Sequence, residues 1–490
     1  MLKPISSKQW DFKTAAHLLN RAGFGGAPAE IERFSKLGHE AAVAELLDFE
    51  KIPDDTKDPD WAKPDPARAE LFLKLRNASE EERRRMQQQR QREDRERMLE
   101  LREWWLRRMV NGPRPLQEKL TLFWHGHFAT SMEKVREPYY MWRQNELFRR
   151  LATGNWLQIL VEVAQDPAML LWLDQAQSRK DHPNENFARE VMELFALGEG
   201  NYTEKDIAEA ARALTGWSLD RENQRFADRP RQHDEGTKTV LRQTGNFDGR
   251  DVLRIVVEQP QAAKFITAKL WSFFAGTPLS TELNDALAGV FRDGGNNFKP
   301  MLRAMFLSEE FYASEVVRAQ VKSPVQWLVM GVRQLERDLP PPLVSTALTR
   351  QLGQELFQPP NVKGWDGGFA WITTNNLLAR YNESATLVFG DTKSLQGAFS
   401  GPANLAKLAE RRLERIRLTG VNPEKFFTKE ECGARDKFIA ALERRFLQAE
   451  LKATQRKALA EFLDARGELD TDDILGAIRL VMCTPDYQLT

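Results

Sequence analysis

Apolar residues recur every three or four positions through most of the chain, as at Ala41, Leu46 and Leu47 or at Phe438, Ala441, Leu442 and Phe446. Alternating runs of strand type are scarce. The pattern predicts a mainly α, multi-helix globular fold. Two stretches depart from it. Residues 77–108 hold many Glu/Arg pairs three or four apart but almost no apolar stripe before Met98, which predicts a charged helix extending from the body with a solvated first half. A partner-binding coiled coil would need apolar heptads that this segment lacks. Residues 218–250 are polar and rich in turn residues, with a short β-prone TKTVL, so one long irregular loop or a small hairpin is expected there. A sub-domain division would also fall there.

The segment from His182 to Trp217 has its boundaries written in turn chemistry. Pro183 suits a first helical position, and Glu185 places a negative charge at the positive end of the helix dipole. Gly198 and Gly200 can supply a left-handed cap after about Leu197. Thr203 with Asp206 forms a capping-box-like start for a second helix, which buries Ile207, Ala211 and Leu214. On the first helix Phe187, Ala188, Val191, Met192, Leu194 and Phe195 share one arc. Glu185, Asn186, Arg189, Glu190 and Glu193 share the other, with His182 at its start. That polar arc is either a solvated face of i,i+4 pairs or a set of carboxylates, amide and guanidinium lining a cleft.

Composition narrows the chemistry. With 490 residues and 41% hydrophobic content the chain can build a large core, and length alone suggests roughly three domains of ~150 residues. Lys plus Arg (71) balance Asp plus Glu (71), so no global field draws the protein to nucleic acid or to an acidic membrane. Two distant cysteines, Cys432 and Cys483, support neither a disulfide framework nor a thiolate zinc site, so a metal would need N and O ligands. No apolar run is long enough to span a bilayer, and the N-terminus does not resemble a signal peptide. A cytoplasmic location is expected, or a periplasmic or exported one if the chain is already processed. No nucleotide-cofactor motif, H-E-x-x-H helix, G-x-S-x-G elbow or EF-hand loop is present.

Candidate chemistry therefore rests on scattered residues. His125 and His127 flank Gly126 in LTLFWHGHFATS, and on an ideal helix they point about 200° apart, so they share a ligand only if the chain breaks at Gly126. Their apolar neighbours make buried, hydrogen-bonded histidines the competing reading. His233 and Asp234 could bind a divalent ion or act as base and orienter. His17 and Arg21 share a helix face. The loop NVKGWDGGFAW (361–371) combines Lys363, Trp365 and three glycines, and either stacks a ring-shaped ligand or plugs a gap between helices.

Seven blocks in order, AAHLLNRAGFGGAPAEI, EKLTLFWHGHFATS, DPAMLLWLD, PNENFAREVMELFALGEGNYTEKDIAEAARALTGW, GNFDGRDVL, FQPPNVKGWDGG and TPDYQL, resemble the bacterial family catalogued as domain of unknown function 1800. The resemblance covers nearly the whole chain and implies a single integrated unit over 1–490. It extends to His17, Arg21, His125, His127, Asn184, Glu185, Asn186, Arg189, Glu190, Glu193, Trp217, His233, Asp234, Lys363 and Trp365, and leaves His182 outside the motif. Many family members are exported, and their genes often lie beside genes for sulfatase-like proteins, which implies an envelope-related partner.

Two functional expectations follow. In the first, His125, His127, His233 and Asp234 hold a divalent metal (Zn, Mn or Fe) or a polar ligand against Glu185, Glu190, Glu193 and Arg189, with a spare carboxylate as general base for hydrolysis. Asn184, Asn186, Trp217, Lys363, Trp365, His17 and Arg21 would then complete the ligand site. In the second, the chain is a non-enzymatic helical interaction module for a sulfatase-like partner.

Overall fold

The computed structural model describes residues 2–399 and 403–490. Those residues form a mainly α fold whose strands make two small antiparallel pairs.

Local chemistry starts and stops the helices that matter here. Helix α1 (Phe12–Ala22) opens on an Asp11/Thr14 capping box and buries every residue from Ala15 onward. Helix α2 (Glu80–Asn111) opens on a Ser79/Glu82 capping box, and its 32 residues span about 48 Å at the ~1.5 Å helical rise. Its buried positions begin at Met98, where the apolar stripe starts. Helix α3 (Pro115–His127) follows a short turn, with Pro115 in its first turn where a missing N–H costs nothing.

Two large apolar clusters fill the interior. One draws on α1, α3 and residues up to Val316. The other joins the second half of α2 to residues 325–487. Helix α3 contributes to both, with Phe123 and Trp124 facing one cluster and Leu122 the other. Glu118 fixes α3 against α2. It is buried and accepts from Arg108 Nε at 2.9 Å, from Arg149 Nε at 2.7 Å and from Trp105 Nε1 at 2.9 Å. Burial works against its charge, but Arg149 and then Arg108 outweigh burial and hold the carboxyl below its ordinary value. A buried acid with this many donors is satisfied, and removing either guanidinium would leave it with a single cationic partner in a buried site.

The 218–250 stretch is more ordered than a long loop. β1 (Trp217–Asp220) pairs with β2 (Arg225–Asp228), and β3 (Lys238–Val240) pairs with β4 (Gln243–Gly245). The second hairpin turns on Leu241 and Arg242, both at positive φ (47° and 68°), the geometry that two-residue hairpins favour for their twist. Neither residue is the Asn or Gly that usually marks such a turn. The hairpin is held from outside instead, because Leu241 N–H donates to Asp206 at 2.7 Å and Thr239 N–H to Glu209 at 2.9 Å.

Candidate functional site

The two histidines of α3 serve different sides of the helix, as their spacing requires. His125 is buried between Trp105, Phe357 and Trp365, and its Nε2 accepts a hydrogen bond from the Phe357 N–H at 3.0 Å. The ring proton must then sit on Nδ1. Burial pushes its pKa down to about 3, so it is a neutral acceptor holding the 357 loop, whose Phe357 sits at φ 63°. His127 faces the other way, stacks on Phe123 at 5.6 Å, and donates from Nε2 to the Phe195 carbonyl at 3.0 Å. Burial, and then the nearby Lys269 charge, also push it to about 3.

The Phe195 carbonyl is free to accept because it lies in the last turn of its helix, where carbonyls have no partner within the helix, and that turn is of an unusual type. Asn184 caps helix α4 (Glu185–Glu190), its side chain accepting from Asn186 N–H at 2.9 Å, so Pro183 lies just outside the helix and not in its first turn. The next six residues, Val191–Ala196, form a π-helix that ends before Gly198 at φ 81°. A uniform α-helix to Leu197 is therefore replaced by α followed by a wide turn. Periodicity does not resolve this difference, since one extra residue per turn leaves the apolar residues still facing inward. Such turns redirect side chains and carbonyls locally. Here Glu193 accepts from Tyr202 OH at 3.1 Å, and burial followed by that carboxylate pushes Tyr202 up to about 12.

Lys363 approaches the same region on the 361–371 loop. Gly364, at φ 82°, lies so close to α3 that a Cβ built on it would collide with the Gly126 carbonyl oxygen. Only glycine fits this crossing, and it brings the loop against the end of α3. Burial raises the Glu190 carboxyl, Glu193 raises it further, and Arg189 and Lys363 pull it back. Lys269, on helix α5 (Pro260–Ala275), is exposed by area, yet desolvation of its ammonium and then the Lys363 charge hold it below its ordinary value. Glu190, Glu193, Lys269, Lys363 and His127 thus act electrostatically on one another in a chain.

Other candidates lie elsewhere or are committed to the fold. Arg189 makes a bidentate pair with Glu204 (2.9 and 2.8 Å) and a longer contact of 3.5 Å with Glu185, all at the surface. Asn186 is exposed, and Asn184 also donates to the Leu173 carbonyl. Trp217 is buried against Phe226, and the site of Gly249 leaves no room for a Cβ beside its ring. His17 is hydrogen-bonded to the Phe311 carbonyl at 2.9 Å. Arg21 is fully buried and donates to the carbonyls of Phe274, Val316 and Thr490 at 3.0, 2.6 and 2.6 Å. His233 Nδ1 lies 3.0 Å from the Thr215 carbonyl. Asp234 is clamped by Arg212 at 2.8 and 3.1 Å, which pushes its carboxyl down to about 2. His125, His127, His233 and Asp234 do not form one ligand set. Among the described residues no three His, Cys, Asp or Glu side chains are grouped so as to hold a metal ion.

Sequence reasoning missed Tyr202 and Lys269. Tyr202 lies inside the motif block GNYTEKD but carries no spacing signal toward Glu193. A single lysine on an amphipathic helix such as α5 reads as ordinary solvation.

These elements define a helical scaffold with a His, carboxylate and lysine cluster at the end of α3. The chain matches the family described as Protein of unknown function (DUF1800) over residues 17–489, and belongs to that family. No curated protein and no solved structure matches it. Among the described residues no helix is long and apolar enough to cross a membrane.

Proposed function

We propose that the protein binds a small anionic ligand between the α3 end, the π turn and the 361–371 loop, and that Glu190 exchanges a proton with it in a hydrolytic reaction. The observation that carries this reading is the Gly364 crossing over Gly126, which commits Lys363 to the neighbourhood of Glu190 and Lys269. Two ammonium groups beside a partly buried carboxyl suit an oxyanion at one end and a proton acceptor at the other. Glu193 is held by Tyr202 and orients the pair, while His127 fixes the carbonyl geometry of the turn.

Calorimetry with inorganic phosphate, sulfate and acetate, followed by assays on p-nitrophenyl phosphate, sulfate and acetate, tests the reading. Saturable anion binding that disappears in Lys363→Ala, with turnover that disappears in Glu190→Gln, supports it. Absence of both binding and turnover overturns it. The same titrations with Zn²⁺ and Mn²⁺ on protein purified without a His-tag address the metal form of the site, in which Glu190 and Glu193 would be ligands.

A second reading, an interaction module for a sulfatase-like partner, draws on the exposed first half of α2 and on Phe369, which is 83% exposed at the tip of the tryptophan loop. Co-purification with such a partner, lost in Phe369→Ser, would favour it over a catalytic role.

A further inference from the structure

A groove lies in a part of the fold separate from the α3 cluster. Helix α2, helix α6 (Pro342–Gln351) and helix α7 (Ala403–Glu414) enclose a groove of about 960 Å³, near the upper end of the ~300–1,000 Å³ range typical of small-molecule sites. Its floor and walls are aliphatic and aromatic, including Met98, Leu99, Leu343, Phe399 and Leu408. Leu408 is 54% exposed although it faces this groove, so its apolar surface awaits a cover.

The charge around that floor is unbalanced. Six arginines and three acids line the groove. Arg102 and Arg350 share the single carboxylate of Glu355, at 2.6 and 2.5 Å. Among the described residues Arg92 and Arg95 on one wall and Arg412 on the other have no ion-pair partner. Arg92, Arg95 and Leu99, spaced three and four along α2, present one stripe to the space, with guanidinium above and aliphatic carbon below. In the wall Thr346 is 1% exposed, and its hydroxyl has no hydrogen-bond partner. A buried hydroxyl without a partner is unfavourable unless something in the cavity meets it.

We propose that this groove binds an amphiphile with an aliphatic chain and an anionic head. A small anion would leave the apolar floor hydrated, and a neutral lipid would leave the arginines unmatched. The chain lies along Met98, Leu99, Leu343 and Leu408. The head sits between Arg95 and Arg412, and an oxygen near the head end accepts from Thr346. The site is distinct from the α3 cluster, so its fate does not depend on the reading proposed for that cluster.

The test is a fluorescence titration of the full chain with cis-parinarate, followed by displacement. Saturable binding displaced by palmitate, but not by methyl palmitate or inorganic phosphate, is expected. Arg95→Gln/Arg412→Gln should weaken binding at least ~tenfold by removing the charge-assisted contacts, with circular dichroism and melting unchanged. Leu408→Glu, at an exposed position that does not support the core, should weaken it comparably and serves if the double variant fails to fold. Competition by phosphatidylglycerol vesicles would make a bilayer lipid the source of the ligand, and competition by palmitate alone would make it a free fatty acid. Equal binding of methyl palmitate, absence of saturable binding, or full affinity in both variants would overturn the proposal.

Discussion

His127 Nε2 donates to the carbonyl of Phe195 at 3.0 Å, joining the end of one helix to the only turn of its neighbour that has widened. The bond spans 68 residues and lies among aromatic rings, where an unpaired carbonyl would be costly. His127→Phe keeps the stacking on Phe123 but removes the donor. It is expected to destabilise the fold by roughly 1–3 kcal/mol, read from urea midpoints. His127→Gln, which can still donate, should recover part of that loss, and equal loss in both variants would mean that packing alone matters.

The two glycines that meet at the 361–371 loop should behave oppositely. Gly364→Ala places a Cβ against the Gly126 carbonyl and at a positive φ, so a loss of at least ~2 kcal/mol is expected in thermal or urea unfolding. A Cβ at Gly126 meets nothing within 4 Å. Gly126→Ala should therefore be neutral, or stabilising by up to ~1 kcal/mol through helix propensity. Similar losses in both would contradict the crossing.

Stability should depend on pH in a concealed way. Burial is the leading cause of the low pKa, about 3, of His17, His125 and His127. Their contribution is fully present above about pH 6.5 and is lost as the pH falls toward 3. Burial raises Asp94 to about 6 and Asp166 and Glu383 to about 7. Their contribution is present below about pH 4 and is lost as the pH rises through 7. The two groups oppose each other across mildly acid pH, so the wild-type curve should be shallow there.

Asp166→Asn exposes one arm of that balance, because asparagine can still cap the helix and accept from Gln144. The variant's stability relative to wild type should rise with pH between about 4 and 7, by up to ~1.4 kcal/mol per unit. Urea midpoints at four pH values measure it. A pH-independent difference would rule out a raised carboxyl.

Ser79→Ala removes the capping box of α2 at its exposed end. A local loss of ~1 kcal/mol is expected, seen as faster amide exchange over the first turns of α2 with no change in the global unfolding midpoint. A shift in the global midpoint would mean that the arm is part of the cooperative core.

Element boundaries set by local chemistry were legible in the sequence. Thr203 and Asp206 cap their helix as their spacing suggests, and the burial of α2 begins at Met98. The β-prone TKTVL marked the second hairpin, but its turn was not legible, because Leu241 and Arg242 adopt positive φ without an Asn or Gly and are held by Asp206, a tertiary contact. The partition of the 185–195 residues into polar and apolar arcs held, but partition does not distinguish an α turn from a π turn. Which polar residues face one another was the least legible of all. Asp234 looked like half of a metal or acid/base pair, yet nothing in the spacing of Arg212, 22 residues away, signals that it would claim the carboxylate.

The π turn also constrains chain length. A helix that absorbs one additional residue without breaking takes this wide form, and the cap at Asn184 and the glycine at Gly198 fix its two ends. Deleting one residue between Val191 and Ala196 would restore uniform α winding and displace the residues inside the turn, while leaving the chain beyond it in register. Glu193 would swing away from Tyr202, and the carbonyl that His127 holds would turn aside. Along this stretch the number of residues, and not only their kind, sets where Glu193 and the Phe195 carbonyl lie.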